Sequence, residues 1–459
     1  MFCGCSAAFG GAPNTHVCPV CLGLPGALPV LNRAAVDSAV RAGLALGCAI
    51  HETSIFARKN YFYPDLPKGY QISQYERPLA AGGAIEFSSG GRTLRVGITR
   101  VHLEEDAGKS LHEGFPDSDR KTYVDYNRSG VPLIEIVTEP DLRSAADAAE
   151  FFARLRALLV WLGVNDGNME EGSLRCDANV SVRPAGATGL GTKVEVKNLN
   201  SFRFLQKAIG YEIDRQIDLV GEGGRIVQET RLWDASAGRT VGMRSKEEAH
   251  DYRYFPEPDL PPLVLDAARI AAIRDLMPEL PDARRQRFIE EYALPEYDAG
   301  QLIQSRALAD YFDATVRAGA PPKLASNWVM GELARKRKET GADLEAVPLE
   351  PDRLAGLIAL IEHGTISGSM AKDVFEKMLT TGRSADDIVR TDGLAQIDGE
   401  SQIRGLIAEV LGRNADAVAQ YRLGKTNAFG FLVGQVMKAT AGKANPARVN
   451  ELLKRALGT

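Results

Sequence analysis

Residues 174–183, with the sequence LRCDANVSVR, alternate between apolar and polar side chains along their whole length. In a β-strand such alternation places the apolar side chains on one face and Arg175, Asp177 and Asn179 on the other. This second face is too polar for a protein core and too regular for a loop. The stretch therefore predicts a strand of a half-buried sheet whose polar face, including Asp177, forms the wall of a functional site.

Two more acidic stretches precede this strand, residues 102–106 (HLEED) and residues 133–137 (LIEIV). The aliphatic run around Glu135 predicts a buried strand, in which an ionised carboxylate needs a cation, a proton or hydrogen-bond partners. Carboxylates together with substrate phosphates are the ligands that Mg²⁺ prefers, so phosphoryl transfer is the first reaction class to consider. Three other acids are predicted to be solvated or salt-bridged surface groups: Glu104, Asp106 and Glu139.

The sequence contains no P-loop for binding phosphates. Residues 108–110 (GKS) and 424–426 (GKT) resemble the end of that motif, but its first glycine is replaced by Leu103 and by Ala419. An ATP site would therefore combine sheet carboxylates with scattered basic residues. The candidate phosphate-binding residues are Arg175, and Lys193 and Lys197 on a strand predicted over residues 192–197.

Four of the six cysteines are crowded near the start of the chain, as Cys3-Gly4-Cys5 and Cys18-Pro19-Val20-Cys21. Two close pairs separated by twelve residues resemble the ligands of a four-thiolate zinc site. A disulfide framework is the weaker interpretation, because the N-terminus lacks the order of a signal peptide. We therefore predict structural zinc on Cys3, Cys5, Cys18 and Cys21.

The composition is that of an ordinary globular protein: 459 residues, 44% hydrophobic and 25% charged. We expect an α+β fold, with a mixed-sheet domain over residues 1–265, a helical domain over 266–411 and a small basic helical tail over 412–459. Residues 421–459 contain seven Lys or Arg and one acid, hence +6, whereas the whole chain carries −5. The tail is therefore predicted to meet an anionic partner. No apolar run is long enough to span a membrane, and we expect a cytoplasmic protein.

Aromatic and basic residues are interleaved over residues 58–65 (RKNYFYPD) and again over residues 251–258 (DYRYFPEP). Such a pattern suits stacking on unpaired nucleic-acid bases, with Lys59, Tyr61 and Tyr63 as candidate contacts. Amphipathic tyrosines at the edge of a sheet would produce the same pattern. Both interpretations stay open at this point.

Several motifs resemble the GatB family, which forms one of the subunits of the glutamyl/aspartyl-tRNA amidotransferase. They are residues 58–65 (RKNYFYPD), 104–109 (EEDAGK), 133–141 (LIEIVTEPD), 170–179 (EEGSLRCDAN), 197–202 (KNLNSF), 252–259 (YRYFPEPD) and the tail from 429 to 450. The resemblance covers essentially the whole chain, and several motifs are too long to match by coincidence.

The resemblance implies a carbon–nitrogen ligase that works in a heterotrimer with a glutaminase subunit, which hydrolyses glutamine, and with a small third subunit. Such an enzyme uses ATP to phosphorylate the side-chain carboxylate of Glu or Asp misloaded on tRNA-Gln or tRNA-Asn, and ammonia from the glutaminase then displaces phosphate. The family's Mg²⁺ ligands would fall on Glu105, Glu135 and Asp177. The zinc site that part of the family contains would fall on the four cysteines, and the family fold is a cradle-like α+β domain followed by helical domains. The candidate tRNA contacts are Lys59, Tyr61, Tyr63, Lys425, Lys438 and Lys443.

Family members usually begin with a strand containing Gly-Leu-Glu-Val-His, whose Glu and His complete the metal site, whereas this sequence starts at the following Met1. We expect the coding sequence to continue upstream with that strand. The competing function is tRNA binding without catalysis, since a zinc module, aromatic residues and a basic tail would suffice for it. A self-sufficient amidase has no support, because the sequence shows no nucleophile signature with a histidine partner. Both tRNA-Gln and tRNA-Asn stay open as the substrate.

Overall fold

The computed structural model describes residues 1–245, 252–341, 347–394, 400–440, 444 and 446–458. The chain forms two compact units, Met1–Leu280 and Pro281–Thr459. The first unit combines strands with helices, and the described part of the second unit is helical. The predicted α+β class is therefore confirmed.

Strands and helices follow one another along the first unit. Its strands are β1 (Ala49–Ile50), β2 (Thr53–Ser54), β3 (Ala57–Asn60), β4 (Tyr70–Ser73), β5 (Ala80–Ala81), β6 (Ala84–Ser89), β7 (Arg92–Glu105), β8 (Lys109–Leu111), β9 (Tyr123–Asp125), β10 (Pro132–Thr138), β11 (Ala178–Val180), β12 (Val194–Lys197), β13 (Glu229–Asp234), β14 (Arg239–Ser245), β15 (Phe255–Pro256) and β16 (Leu263–Val264). Its helices are α1 (Arg33–Ala45), α2 (Ala145–Trp161), α3 (Phe202–Gly221) and α4 (Ala267–Asp275).

The largest sheet has the strand order β1–β5–β7–β10, and β6 pairs with the first half of β7. Strands β7 and β10 are antiparallel, with Glu135 opposite His102. Because side chains alternate along a strand, Ile134 and Ile136 pack on the core while Glu135 projects from the other face. This pairing brings two of the predicted acidic stretches side by side.

A second sheet has the strand order β11–β12–β13–β14 and packs on α3. Leu174 and Val180 are buried in the same core as Leu205 of α3. The polar residues of this stretch that lie between them are exposed: Arg175, Asp177 and Asn179. The predicted alternation is confirmed, although regular strand pairing is confined to Ala178–Val180.

A third, small sheet has the order β15–β3–β4, in which Phe255 lies opposite Arg58. Arg58 Nε donates a hydrogen bond to Glu257 Oε2 at 2.8 Å, across 199 positions of sequence. The two interleaved aromatic and basic stretches are therefore neighbours in space. Their second stretch is described from residue 252 onward.

Serine residues begin the two long helices of this unit. The side chain of Ser144 accepts a hydrogen bond from the backbone N–H of Asp147 at the start of α2. Ser201 caps α3 in the same way through the N–H of Phe204. Such caps satisfy backbone donors that the first helical turn leaves unpaired.

The second unit is built from helices. They are α5 (Pro281–Glu290), α6 (Glu296–Leu302), α7 (Arg306–Arg317), α8 (Pro322–Trp328), a π-helical turn (Val329–Leu333), α9 (Ala334–Thr340), α10 (Pro351–Glu362), α11 (Gly368–Thr381), α12 (Ala385–Thr391), α13 (Glu400–Arg413), α14 (Ala415–Arg422), α15 (Asn427–Ala439) and α16 (Pro446–Leu457). None of the described helices of either unit combines the length and the apolarity needed to cross a membrane.

The C-terminal helices share a hydrophobic core of their own. Ile403 and Ile407 of α13 belong to the same buried cluster as Leu432 and Val436 of α15 and Leu453 of α16. This core includes α13, most of which precedes the tail boundary predicted at residue 412. The tail therefore depends on α13 for its packing.

Candidate active site

Three side chains of the β7–β10 pair converge at one place. His102 and Glu104 project from the same face of β7, and Glu135 projects from the position opposite His102 on β10. His102 Nε2 lies 3.3 Å from Glu135 Oε2 and 3.7 Å from Glu104 Oε2. One ligand atom of each residue lies within 4.8 Å of the other two, so the three form a candidate cation site, termed the acidic cluster.

The electrostatics of the acidic cluster favour ionised carboxylates. Burial disfavours a charged His102, but its hydrogen bonds to Glu104 and Glu135 and their charges outweigh burial and raise its pKa. Partial loss of hydration likewise opposes ionisation of Glu135, yet the hydrogen bond from His102 and the charges of His102, Lys59 and Arg100 lower its pKa to about 2. Glu135 therefore carries its charge at neutral pH, as a cation ligand must.

The expected exposures of two acids are wrong. The side chain of Glu135 is 46% exposed, because only alternate residues of β10 face the core. The side chain of Glu104 is only 12% exposed and accepts a hydrogen bond from Ser73 Oγ at 3.2 Å, so it is no solvated surface group. Glu139 is exposed, as predicted, and accepts a hydrogen bond from Thr99 Oγ1.

Glu105 lies outside the acidic cluster, on the other face of β7 from Glu104. Its buried carboxylate forms an ion pair with Lys68 and accepts a hydrogen bond from the Ile72 backbone N–H at 2.9 Å. The metal-ligand role expected for Glu105 stays a prediction. The geometry favours Glu104 in that role, because only Glu104 faces Glu135.

Asp106 is also buried, contrary to the expectation of a surface group. Its Oδ2 lies 2.8 Å from Arg175 Nη2 and 3.1 Å from Arg128 Nε. Burial raises the pKa of Asp106, and the two guanidinium groups counteract part of that rise. The side chain of Arg175 is 43% exposed, so this arginine is held by Asp106 while part of it stays accessible to an anion.

Asp177 lies immediately before β11, is exposed, and forms an ion pair with Lys197 of β12. Lys197 Nζ also lies 3.8 Å from Glu195 Oε1, and Lys193 is exposed just before the strand. The predicted polar face of this sheet is therefore present. The structure does not include Asp177 in the acidic cluster, and its predicted role as a metal ligand stays a prediction.

Tyrosines from the two aromatic stretches lie close to these carboxylates. The rings of Tyr61 and Tyr252 have centroids 6.4 Å apart, and Lys59 Nζ lies 5.0 Å from the centre of the Tyr252 ring. The pKa values of Tyr61 and Tyr254 are raised, mainly by burial and further by the charge of Glu104. Tyr61, Tyr252 and Tyr254 therefore form a wall beside the acidic cluster, termed the tyrosine wall.

Two more tyrosines extend this wall. Tyr75 stacks on Tyr254 with ring centroids 4.2 Å apart. Tyr63 is 45% exposed and its ring centroid lies 5.7 Å from that of Tyr61. Flat rings in this arrangement present surfaces on which a nucleobase can stack.

The four cysteines predicted as zinc ligands also converge. The Sγ atoms of Cys3, Cys5, Cys18 and Cys21 lie within 4.8 Å of one another and form no disulfide. Four sulfurs bound tetrahedrally at about 2.3 Å would be about 3.8 Å apart. Cys21 Sγ lies 3.4 Å from Cys3 Sγ and 3.6 Å from Cys18 Sγ, so this cysteine cluster fits a zinc ion.

Of the basic tail residues predicted to contact tRNA, Lys425 and Lys438 are exposed. Lys443 lies outside the described residues. Two of the three predicted tail contacts are therefore accessible to a partner.

Residues 1–271 match the GatB/GatE catalytic domain, and residues 310–457 match the GatB domain. The chain is 56% identical to an aspartyl/glutamyl-tRNA(Asn/Gln) amidotransferase subunit of Anaeromyxobacter dehalogenans, over 100% of this chain and 95% of the relative. The chain belongs to the GatB family of amidotransferase subunits. Family members from Thermodesulfovibrio yellowstonii and Carboxydothermus hydrogenoformans are 55% and 53% identical, over 100% and 99% of this chain and 95% and 94% of the relatives.

Sequence reasoning missed His102 and Glu104 as members of the acidic cluster of this GatB family member. A signal for them existed, because residues two positions apart on a strand share a face. Pairing the strand around Glu135 with residues 102–106 would have placed both on the face of Glu135. The information lacking in the sequence was which strand pairs with which, and in what register.

The acidic cluster of this GatB family member also fits a magnesium ion. Ligands at about 2.1 Å in an octahedron are about 3 to 4.2 Å apart, which small movements of Glu104 and Glu135 would allow. His102 Nδ1 is buried and has no hydrogen-bond partner among the described residues. This nitrogen is on the opposite side of the imidazole from Nε2, which faces the two carboxylates, so it takes no part in the acidic cluster.

Proposed function

We propose that this GatB family member catalyses ATP-dependent amidation of misacylated tRNA. The side-chain carboxylate of Glu on tRNA-Gln, of Asp on tRNA-Asn, or of both would be phosphorylated and then converted to the amide. The observation that carries the proposal is the acidic cluster together with the cation Arg175, which is held by Asp106 two residues after Glu104, since carboxylates and cations together suit a magnesium–nucleotide complex. Membership of the amidotransferase family supports the amidation step.

Each part of the site has an assigned role in this proposal. Glu104 and Glu135, which His102 orients, would hold Mg²⁺ through their carboxylate oxygens, and the ion would neutralise charge on the phosphates of ATP. Arg175 and Lys197 would contact phosphate oxygens, each being oriented by a carboxylate partner. The tyrosine wall would stack on a base of ATP or of the tRNA. The Lys residues of the tail would contact the phosphates of the tRNA.

The reaction then follows two displacements. In the first, an oxygen of the substrate carboxylate attacks the γ-phosphorus of ATP, the bond to the β-phosphate oxygen breaks, and ADP leaves. In the second, the nitrogen of ammonia attacks the acyl carbon, the carbon–oxygen bond to phosphate breaks, and the nitrogen loses a proton. The side chains of Arg175 and Lys197 stabilise negative charge on the phosphate in both steps, while the carboxylates of the acidic cluster would position it through the Mg²⁺ that they hold.

The proposed reaction needs a source of ammonia. We assign that role to a glutaminase subunit, which forms a cytoplasmic heterotrimer with this chain and a small third subunit. The relatives are themselves named as one subunit of the amidotransferase, which supports an enzyme of several chains. Zinc on the cysteine cluster would be structural, because its four thiolates leave no open position for a substrate.

The test measures ADP formation by the complete complex with Mg-ATP and glutamine. We expect ADP only when Glu-tRNA-Gln or Asp-tRNA-Asn is added, in proportion to the amidated product, and none with uncharged tRNA. Comparison of the two misacylated tRNAs identifies the substrate. Tight tRNA binding without any ADP formation would instead support the alternative of a binding protein.

A further inference from the structure

The loop between the two cysteine pairs, residues 11–16 and termed the knuckle loop, lies on the end of β9 and on the segment that follows it. Asn14 Oδ1 accepts a hydrogen bond from the Tyr126 N–H at 2.8 Å, and Asn14 Nδ2 donates one to the Val124 carbonyl at 3.0 Å. The backbone N–H of Asn14 donates to Asp125 Oδ1 at 3.0 Å. Asn14 has a φ of 60°, a left-handed conformation that Asn adopts more readily than most residues.

A second asparagine makes the reciprocal contacts from the other side. Asn127 Oδ1 accepts a hydrogen bond from the His16 N–H at 2.8 Å, and Asn127 Nδ2 donates one to the Ala12 carbonyl at 2.7 Å. Two residues later, Ser129 Oγ donates to the carbonyl of Cys21, one of the four clustered cysteines, at 3.3 Å. The segment 124–129 is therefore attached to the cysteine cluster and to its loop at several points.

The same segment holds Asp106 from its other side. Arg128 Nε lies 3.1 Å from Asp106 Oδ2, and Arg128 Nη2 donates to the Gly108 carbonyl at 3.2 Å. The backbone of Asp106 accepts a hydrogen bond from the Gly130 N–H at 2.9 Å and donates one to the Val131 carbonyl at 2.8 Å. Residues 124–131 thus form a bridge between the cysteine cluster and the carboxylate that orients Arg175.

We propose that Asn14 and Asn127 are positioning residues, through which the cysteine cluster fixes Arg128 and Asp106 and thereby the phosphate-binding side chain Arg175. The inference rests on the proposed function for the role of Arg175 in binding ATP. Neither asparagine touches the acidic cluster or a substrate group. Their effect is transmitted because the knuckle loop is held at both ends by cysteines and presents five hydrogen bonds of 3.0 Å or shorter to one segment.

In this arrangement, opening of the cysteine cluster affects Arg175 through the segment 124–131. If the cysteine cluster opens, the knuckle loop loses both anchors, and the segment 124–131 loses the partners of Asn127 and Asn14. Arg128 and Asp106 then gain freedom, so Arg175 is no longer held in one orientation. Binding of ATP should weaken although no group that contacts ATP has changed.

The test uses hydrogen exchange of the whole chain, in which the wild type and the two asparagine variants are loaded with zinc. The variants are Asn127→Ala, Asn14→Gly, which keeps the left-handed backbone but removes the side-chain contacts, and Cys18→Ser. Exchange of the amides of Asp106 and Gly130 should become at least about tenfold faster in each variant, since local opening costs less when its hydrogen bonds are removed. Amides of the β6–β7 pair should keep their protection.

Asn414→Ala is the matched control, because Asn414 Nδ2 also donates to a backbone carbonyl, that of Val410, but lies in the C-terminal tail. It should leave the amides of Asp106 and Gly130 unchanged. Unchanged exchange of these amides in Asn127→Ala would overturn the proposal, and this holds even if Cys18→Ser fails to fold.

A second readout separates the proposal from the proposed function. The dissociation constant of Mg-ATP should rise in Asn127→Ala and in Asn14→Gly, while zinc content stays at the wild-type level. Faster exchange at Asp106 together with unchanged Mg-ATP affinity would establish the positioning and overturn the role of Arg175 in binding phosphate. Unchanged exchange together with tRNA-dependent ADP formation would overturn the positioning role of the two asparagines and support the proposed function.

Discussion

Glu104 and Glu135 lie on neighbouring antiparallel strands and face the same nitrogen atom, His102 Nε2, at 3.7 Å and 3.3 Å. The two carboxylates share this partner because Glu104 stands two positions after His102 and Glu135 stands opposite His102. The relationship decides which acids of the HLEED stretch can act together on one cation. It also separates the role of Glu104 from that of its neighbour Glu105.

Glu104→Gln and Glu135→Gln should each lower tRNA-dependent ADP formation at least about 100-fold, because each removes a negative charge proposed to hold Mg²⁺. Glutamine hydrolysis by the glutaminase should persist at least in part, since that chemistry lies elsewhere. The matched control is Glu139→Gln, an exposed acid just beyond the end of β10. Wild-type activity with normal magnesium dependence in both cluster variants would contradict the assignment.

Glu105→Gln should act on stability more than on magnesium binding. Its carboxylate pairs with Lys68, whose side chain is 12% exposed, and loss of one partner of such a pair costs about 3 kcal/mol or more. Urea unfolding should show the loss, and the double variant with Lys68→Met should recover part of it. If the variant instead needs much more magnesium for half-maximal activity and loses no stability, Glu105 is a magnesium ligand.

Purified protein should contain about one zinc ion per chain, bound by Cys3, Cys5, Cys18 and Cys21. Elemental analysis of protein purified without chelator measures it. Replacing Cys18 and Cys21 by Ser should release the metal, whereas Cys48→Ala should retain it, because Cys48 is not part of the cysteine cluster. Freshly reduced wild-type protein without zinc would refute the assignment.

The helical unit should lose stability in acid through Asp313. Burial opposes ionisation of Asp313, but hydrogen bonds from Arg287 and Tyr292 and the charge of Arg287 lower its pKa to about 2. A group whose pKa is depressed in the folded state stabilises above its unfolded value of about 3.9 and loses that contribution as pH falls towards 2, a loss of about 2 kcal/mol for this residue. Denaturant unfolding between pH 5 and pH 2 should show the decline.

Asp313→Asn provides the control for that acid dependence. The variant should be less stable than wild type at pH 7, because Arg284 and Arg287 lose a charged partner that is 1% exposed. It should also show a shallower loss of stability towards pH 2. An identical pH dependence in both proteins would assign the acid sensitivity to other groups.

Lys425→Gln combined with Lys438→Gln should weaken tRNA binding and flatten its salt dependence. Each lost phosphate contact changes the slope of log K against log salt by about 0.7 to 0.9. Deleting the tail would be a poorer test, because it would expose the core residues of α13. Lys121→Gln is the control, since that lysine already pairs with Asp117, and an unchanged slope in the tail variant would assign the tail to packing.

Local sequence patterns were enough to predict the elements that line the site. They did not predict the burial of side chains whose contacts come from residues distant in sequence. Alternation around Asp177 predicted both the strand and its polar face, and the spacing of the four cysteines predicted their cluster. The aliphatic run around Glu135 predicted the strand but not the exposure of the carboxylate. Period-two alternation is hidden when both faces of a strand carry apolar residues. Glu104 and Asp106 were misjudged because their burial depends on strands β4 and β10 and on arginines far away in sequence.

The contact of Arg58 with Glu257 closes a chain segment of 199 positions, and the tyrosine wall lies at this junction. Contacts between residues so distant in sequence form slowly, because the chain loses the entropy of loop closure before the contact contributes any stabilising free energy. The wall is therefore assembled after the local hairpins and helices of the first unit. On the ribosome, a nascent chain cannot complete it until the segment around residue 257 has emerged. A ligand that stacks on these rings can therefore be bound only once the first unit is nearly whole.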